Sequence, residues 1–240
     1  MALMKETPSW AMTAPDAARK TGWASQSELR LRNAMEDWLR ARHCDARICH
    51  EMVMGEREVR ADVVAIGPAH IAAVEIKGEW DGVTRLLHQV GMYQLCVPEV
   101  WIVTAERHSH DAKLINFLMP SVGVVTGTGI RKDYERGQTT DAPCVLTVVT
   151  EAVPRDPHPE MMAQMMWAEE LASICNRTGT AQIGSRTPPR AKMIGWLLDK
   201  LSLPDLLREC CTELRARQAL WRADEPIGSK PVAAQPRLGV

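Results

Sequence analysis

The chain has 240 residues, 45% of them hydrophobic and 25% charged, with a formal net charge of −1, which suits one α/β core of ordinary size with a small addition. No uninterrupted apolar run approaches the length of a membrane span, and the N-terminus lacks the apolar centre of a signal peptide. A cytoplasmic protein without membrane contact is therefore expected.

Four elements are predicted in the first third of the chain. A helix spans Ser27 to His43, after a flexible segment over residues 1–24. Three strands follow at Ile48–Met54, Arg60–Ile66 and Ile71–Lys77. They are short apolar runs, as is typical of the buried strands of an α/β sheet, and the first two are expected to form a hairpin.

Charged side chains interrupt the apolar character of two of these strands. Asp62 lies in the second strand, and Glu75 and Lys77 end the third strand on either side of Ile76. Because side chains alternate between the faces of a strand, Glu75 and Lys77 point the same way while Ile76 points into the core. Two carboxylates and an ammonium group are expected to converge. This suits phosphodiester hydrolysis, in which carboxylates hold Mg²⁺ and the metal activates phosphate and water.

The next predicted helix carries a polar face. Asp81 is expected to cap its N-terminus. Its apolar stripe consists of Val83, Leu86, Leu87 and Val90. Arg85, Gln89 and Tyr93 are spaced by four residues, so they share one face of the helix and can reach a single site.

The arrangement Asp62…Glu75-Ile76-Lys77 resembles the motif of the PD-(D/E)XK, or restriction-endonuclease-like, nuclease superfamily. Residues 89–93 are similar to the Gln-x-x-x-Tyr element of a branch that includes recombination and repair exonucleases. The resemblance covers about residues 25 to 150. It implies a mixed central sheet flanked by helices, and it implies that Gln89 and Tyr93 help to place the active-site groups and the DNA.

The resemblance also implies a divalent cofactor, Mg²⁺ or Mn²⁺. Asp62 and Glu75 would be its main ligands, and the backbone carbonyl of Ile76 would complete the shell. Lys77 would orient the attacking water or stabilise charge in the transition state.

A helix before the first strand often contributes one more acid to the metal in this superfamily. Glu28 is the preferred residue, because it lies in the first turn of its helix, at the end that related folds direct towards the site. Glu36, on the same helix, and Glu51, on the first strand, remain alternatives.

The middle of the chain supplies the rest of the sheet. Strands are predicted at Val97–Thr104, Val122–Val125 and Val145–Val149, with a helix from Ala112 to Met119. The order helix, hairpin, strand, helix, strand, helix, strand matches the mixed sheet of the restriction-like fold. A nuclease-like core over residues 25–152 follows.

A helical C-terminal region is predicted over residues 153–223. It begins with a proline-rich connector that ends at Pro159 and contains a loop over residues 177–189. The predicted helices are 160–175, 190–201 and 204–221, and the last two are expected to pack as a helical hairpin. Residues 224–240 are expected to be a disordered tail.

Basic residues are concentrated at the C-terminal end. From Arg177 onward, eleven Lys and Arg stand against six Asp and Glu, a net +5, which leaves −6 for the residues before it. This end could contact the DNA backbone, and Arg190 and Lys192, with Arg85, are the candidate DNA-binding residues. A solvated basic surface is an equal alternative. Duplex DNA is preferred to a single strand, because aromatic residues make up only 5% of the chain.

The seven cysteines indicate neither disulfides nor zinc. Their odd number and the lack of repeated close pairs argue against a secreted disulfide framework. A zinc site at His43, Cys44, Cys49 and His50 is disfavoured, because these pairs lack the Cys-x-x-Cys spacing of structural sites.

Two functions of different classes remain. The first is a metal-dependent DNA nuclease, with DNA repair, recombination, phage biology and defence as its candidate settings. The alternative is a catalytically inactive DNA-binding or protein-interaction module that retains the fold. Cleavage at ends or at internal bonds stays open, as does the oligomeric state, including a homodimer.

Overall fold

The computed structural model describes residues 23–55, 59–79, 81–129, 144–218 and 222–228. Most of the predicted N-terminal segment, residues 1–22, and the stretch 229–240 of the predicted tail lie outside these ranges. Within the described residues, no helix is long and apolar enough to cross a membrane.

The described residues form six strands and seven α-helices. The strands are β1 (Arg47–Met54), β2 (Val59–Ile66), β3 (Ile71–Lys77), β4 (Glu99–Ala105), β5 (Gly123–Thr128) and β6 (Val145–Thr150). The helices are α1 (Trp23–Arg42), α2 (Leu86–Cys96), α3 (Ser109–Leu118), α4 (Pro159–Ala163), α5 (Ala168–Arg177), α6 (Arg190–Lys200) and α7 (Leu203–Ala216). A short 3₁₀ helix, Glu106–His108, precedes α3.

The strands build one mixed sheet in the order β1-β2-β3-β4-β5-β6. β1, β2 and β3 are antiparallel neighbours, β3, β4 and β5 are parallel, and β6 is antiparallel to β5. Helices α2 and α3 connect the parallel strands. The structure therefore confirms the α/β class, with a mixed central sheet, flanking helices and further helices at the C-terminal end.

Helix α1 covers one face of the sheet. Leu31, Met35 and Leu39 recur at four-residue spacing and are fully buried there, in one cluster with Trp101 of β4. Apolar side chains at i and i+4 lie on one face of a helix. Burial of this face against the sheet therefore holds α1 in a fixed position over the central strands. The residues of α1 next to the stripe can therefore be held at defined points along the sheet.

The opposite face packs against α2 and the C-terminal helices. Met162, Leu197 and Leu214, from α4, α6 and α7, belong to the same apolar cluster as the strand residues Val64 and Ile102. The C-terminal helices are therefore part of the main core. The expected helical hairpin does not form, because α6 and α7 each pack chiefly against α4 and α5.

Helices α1 and α3 begin before their predicted starts, at Trp23 and at Ser109. Two predicted helices of the C-terminal region also differ from the structure. The helix expected over 160–175 is broken, since α4 ends at Ala163 and α5 begins at Ala168. The Glu170 carboxylate accepts a hydrogen bond from the Trp167 backbone N–H at 2.8 Å, which starts a new helix at this point. Helix α7 ends at Ala216, well before the predicted end at residue 221.

The C-terminal segment returns to the outer edge of β1. The backbone N–H of Asp224 donates to the Ile48 carbonyl at 2.9 Å, and the His50 N–H donates to the Arg222 carbonyl at 3.1 Å. The Asp224 carboxylate also pairs with Arg40 of α1 at 2.7 Å. The predicted disordered tail is therefore wrong at Asp224, because these bonds hold the backbone against the sheet.

Candidate active site

A cavity of about 510 Å³ opens at the end of β3, between α1, the β1–β2 hairpin and α2. Seven of its lining residues are those that the sequence singled out: Glu28, Asp62, Glu75, Ile76, Lys77, Arg85 and Gln89. The lining also includes Glu51, Arg60, Asp81 and His88. The residues of the Asp62…Glu75-Ile76-Lys77 motif therefore meet in one solvent-accessible space.

Asp62 connects β2 to β3 through its side chain. Its Oδ2 accepts a hydrogen bond from the Ile76 backbone N–H at 2.7 Å. The regular β2–β3 pairing stops at Val63 and Val74, so the carboxylate replaces a backbone partner at the end of the ladder. Because the N–H and C=O of one strand residue point to the same neighbour, the Ile76 carbonyl also faces the side of Asp62.

A backbone irregularity in β1 lies directly opposite Asp62. Glu51 has a φ of 54°, in the left-handed region that favours glycine. Side-chain alternation slips there: Ile48 packs on the α1 side of the sheet, whereas Met52 packs on the opposite side. The conformation directs the Glu51 carboxylate to the cavity, where it lies 3.1 Å from Arg32.

The guanidinium of Arg32, on α1, contacts the carboxylates of Glu28, Glu51 and Asp62. Its Nη2 donates to Glu28 at 2.7 Å and lies 3.4 Å from Asp62 Oδ1. Its Nη1 donates to the Asp62 backbone carbonyl at 2.6 Å. Arg32 was not among the predicted site residues, although its position one helical turn after Glu28 was a signal that both side chains reach one site.

Glu75 and Lys77 form a buried pair that α2 supports. Only 2% of Glu75 and 8% of Lys77 is exposed. Lys77 Nζ donates to Glu75 Oε1 at 2.7 Å and to Gln89 Oε1 at 3.3 Å. The Tyr93 hydroxyl donates a hydrogen bond to Glu75 Oε2 at 2.5 Å. Gln89 and Tyr93 thus hold the ammonium and the carboxylate from one helix face, as their spacing predicts.

The start of α2 differs from the prediction. The helix begins at Leu86, and its N-cap residue is Arg85, which makes no side-chain cap. Asp81 instead accepts a hydrogen bond from the Gly78 backbone N–H at 2.6 Å, so it closes the turn after β3 and does not cap the helix. Leu87, assigned to the apolar stripe, is exposed. Arg85 lies at the cavity, as expected.

Other predicted residues lie elsewhere. Glu36 of α1 pairs with His50 at 3.2 Å and Arg222 at 2.7 Å, and it does not line the cavity. Arg190 donates to the Gln164 carbonyl at 2.7 Å, and Lys192 lies over the Trp196 ring; neither lines the cavity. Of the acids considered as an additional ligand, Glu28 and Glu51 are thus the two at the site.

The electrostatics of the cavity centre on Asp62. Burial and the nearby Glu75 carboxylate raise the pKa of Asp62 from its ordinary value of 3.8 to about 8, although Arg32 acts in the opposite direction. Burial is the larger of the two causes, and the Glu75 carboxylate is the second. Such a shift in a cleft is typical of sites that bind a cation or transfer a proton.

Replacing Asp62 with Asn is expected to change how stability depends on pH. In the wild type the folded protein keeps the Asp62 proton at pH values where the unfolded chain has released it. The contribution of Asp62 to stability therefore falls as the pH rises from about 4 to about 8. Denaturant unfolding of both proteins between pH 4 and 9 should show Asp62→Asn gaining relative stability across this range. Asp224→Asn is the control, because its Arg40 partner lowers the pKa of Asp224; parallel curves for Asp62→Asn and wild type would contradict the prediction.

Comparison with known proteins gives one family. A family model with the description Bacteriophage P4 protein cII matches residues 24–223, which include the six described strands, the cavity and all described helices except the first residue of α1. No curated protein and no solved structure matches the chain.

Proposed function

Because the chain belongs to the Bacteriophage P4 protein cII family, a name that specifies no chemistry, we propose its function from the cavity: a metal-dependent DNA nuclease that hydrolyses phosphodiester bonds. The observation that carries the proposal is the convergence of Asp62, Glu75 and Lys77 in one cavity, with the ammonium 2.7 Å from the Glu75 carboxylate. Two acids and a lysine on adjoining strands are the groups that this chemistry requires.

The donor set fits a hard divalent cation. Asp62, Glu75 and the Ile76 carbonyl offer oxygen ligands, which Mg²⁺ and Mn²⁺ prefer. Burial and the Glu75 carboxylate disfavour the charged form of Asp62, and a bound cation would favour that form. Glu28 and Glu51 are the candidates for an additional ligand. When bound, such an ion polarises a phosphate oxygen and lowers the pKa of a water molecule that it holds.

Lys77 is the residue best placed to act on the water or the phosphate. Glu75 and Gln89 hold its Nζ at the cavity wall, which fixes the ammonium before substrate arrives. A fixed positive group in a largely buried setting stabilises negative charge that develops on phosphate oxygens, at little cost in reorganisation. Tyr93 is a positioning residue, because its hydroxyl orients the Glu75 carboxylate by donating a hydrogen bond to it.

Phosphate groups of DNA have candidate contacts at the cavity mouth. Arg85 and His88 are exposed and line the cavity, and more than half of the Arg60 side chain is exposed. Arg60 pairs with Glu51 at 2.7 Å, whereas Arg85 is the exposed N-cap residue of α2 and makes no side-chain cap. Arg85 is therefore the first choice for a backbone contact that adds affinity without sequence preference. Arg190 and Lys192 would add a more distant contact of the same kind.

Arg32 favours a second candidate, a DNA-binding or protein-interaction module without catalytic activity. Among the described residues, no three cavity carboxylates bring ligand oxygens within 4.8 Å of one another. Arg32 lies between Glu28, Glu51 and Asp62 and already compensates part of their charge. A protein that used this arginine in place of a metal would keep the fold and bind no divalent cation.

A cleavage panel separates the two candidates. Supercoiled plasmid, linear duplex and single-stranded DNA are incubated with the protein in Mg²⁺, in Mn²⁺ and in EDTA, and binding is measured in parallel. The nuclease predicts cleavage with either metal and none in EDTA, with the plasmid and linear products reporting internal or terminal attack. Cleavage that persists in EDTA would reject metal dependence. DNA binding without cleavage under all conditions would favour the inactive module.

A further inference from the structure

Three metal-ligating side chains meet at the other end of the central strands. His43 directly follows α1, His70 directly precedes β3, and Glu99 is the first residue of β4. Their ligand atoms all lie within 4.8 Å of one another. Because β3 and β4 are parallel, this cluster lies where both strands begin, whereas Glu75 and Lys77 lie where β3 ends.

Glu99 is the centre of the cluster. Only 4% of the residue is exposed, and its Oε2 lies 2.5 Å from His70 Nε2. Trp101 Nε1 donates to the other oxygen, Oε1, at 2.5 Å. Each oxygen of the Glu99 carboxylate therefore has its own close partner in this part of the fold.

His43 contributes a ring nitrogen that faces the Glu99 carboxylate without a hydrogen bond to it. Its Nε2 is buried and has no hydrogen-bond partner among the described residues. It lies 3.6 Å from Glu99 Oε1, which is too long for a hydrogen bond. Buried polar atoms without a partner are uncommon, and each one calls for an explanation such as an ion or a water molecule. The His43 ring also stacks on the His70 ring, with centroids 5.2 Å apart, so both imidazoles belong to one compact group.

The spacing suits tetrahedral coordination. Ligands about 2.1 Å from a zinc ion are about 3.4 Å apart. The separation of His43 from Glu99 is close to this value, and an ion would replace the short His70–Glu99 hydrogen bond. About 31% of the His70 side chain is exposed, which leaves room for the ring to adjust and for water to take the fourth position.

We propose that His43, His70 and Glu99 bind one Zn²⁺ ion, which fastens the C-terminal end of α1 to the start of β3 and β4. Two imidazoles and one carboxylate suit zinc, whereas the all-oxygen set of the cavity suits Mg²⁺ or Mn²⁺. Arg42 lies 3.6 Å from Glu99, but its guanidinium also pairs with Glu151 at 2.8 Å, so its charge is shared between two acids. The zinc site does not depend on the nuclease proposal.

Metal titration of the purified full chain tests the site. The protein is first dialysed against a chelator and then titrated with Zn²⁺ alone, and with Co²⁺ as a coloured substitute. The wild type should bind one Zn²⁺ at this site, give the visible absorption of tetrahedral Co²⁺, and unfold at a higher temperature when zinc is present, because a ligand that binds the folded state stabilises it. A tenfold excess of Mg²⁺ should not displace the zinc.

The variants His43→Gln and His70→Gln decide whether these residues are the ligands. Each should weaken zinc binding by more than about 100-fold, since even loss of a group that only supports a ligand costs 10- to 100-fold. Both should abolish the Co²⁺ spectrum and the thermal shift. His110→Gln, which changes an exposed histidine of α3, is the matched control and should bind zinc normally.

Three results would overturn the proposal: no zinc uptake by the wild type, equal uptake by the two histidine variants, or an octahedral Co²⁺ spectrum. The first would mean that the His70–Glu99–Trp101 hydrogen bonds are sufficient without metal. Circular dichroism of the metal-free variants checks that they fold. Glu99→Gln is a less suitable test variant than the two histidine variants, because Glu99 is buried and its replacement could disturb the core.

Discussion

Replacing Glu75 with Gln should abolish metal-dependent DNA cleavage, with a loss of about 10³-fold or more in the single-turnover rate. The amide keeps the shape of the side chain, and its one oxygen can still accept a hydrogen bond from Lys77 while its NH2 donates to the Tyr93 hydroxyl oxygen. It removes the negative charge that a metal ligand needs. Metal catalysis contributes several kcal/mol of transition-state stabilisation, and each 1.4 kcal/mol corresponds to tenfold in rate.

The control for Glu75 is an acid outside the cavity. Glu151 follows β6, is exposed and pairs with Arg42, so Glu151→Gln should leave cleavage unchanged. A second pair compares two acids on α1: Glu28→Gln should reduce cleavage, whereas Glu36→Gln should not, because only Glu28 lines the cavity. Wild-type turnover by Glu75→Gln would remove this carboxylate from the mechanism and with it the proposed metal site.

Replacing Lys77 with Met should lower the single-turnover cleavage rate by about 10²-fold or more while DNA affinity stays nearly unchanged. Methionine retains most of the apolar stem in this buried position and removes the ammonium. A group that stabilises mainly the transition state changes the chemical step and has little effect on ground-state binding.

Lys200→Met is the matched control, because Lys200 is exposed at the end of α6 and away from the cavity. Lys77→Arg keeps the charge but changes its geometry, and it should recover part of the rate if electrostatic stabilisation is the role. If Lys77 serves only to neutralise Glu75, Lys77→Met would unfold more easily and still cleave at a normal rate. Unfolding curves and single-turnover rates of the same samples distinguish these outcomes.

Local spacing was sufficient to predict the central part of the cavity. Glu75 and Lys77 lie on the same side of β3 because strand side chains alternate, and Gln89 and Tyr93 reach this pair because they share a helix face. The order of strands and helices could be predicted from the same periodicities. These relations involve residues close in sequence, so the geometry of one or two elements determines them.

The remainder of the cavity depends on packing between distant elements. Arg32 lies next to Asp62 because α1 is packed across the sheet, and sequence spacing does not encode that register. The direction of Glu51 depends on its left-handed backbone, which no glycine or asparagine signals. The cluster of His43, His70 and Glu99 joins the residues next to α1 and β3 to the first residue of β4, and the histidines and cysteines near His43 suggested other combinations. The break between α4 and α5 likewise depends on Glu170, which the Arg217 side chain holds in the core.

The bonds between the C-terminal segment and β1 limit how this protein can assemble with other chains. An exposed edge strand offers unpaired N–H and C=O groups to which a foreign strand can add, and many aggregates and some dimers grow in this way. Here the Ile48 carbonyl and the His50 N–H already have partners at Asp224 and Arg222. A second copy could pair with the Ile48–His50 part of β1 only by first displacing these residues and separating Asp224 from Arg40. The returning segment therefore protects this part of the edge from unintended strand exchange.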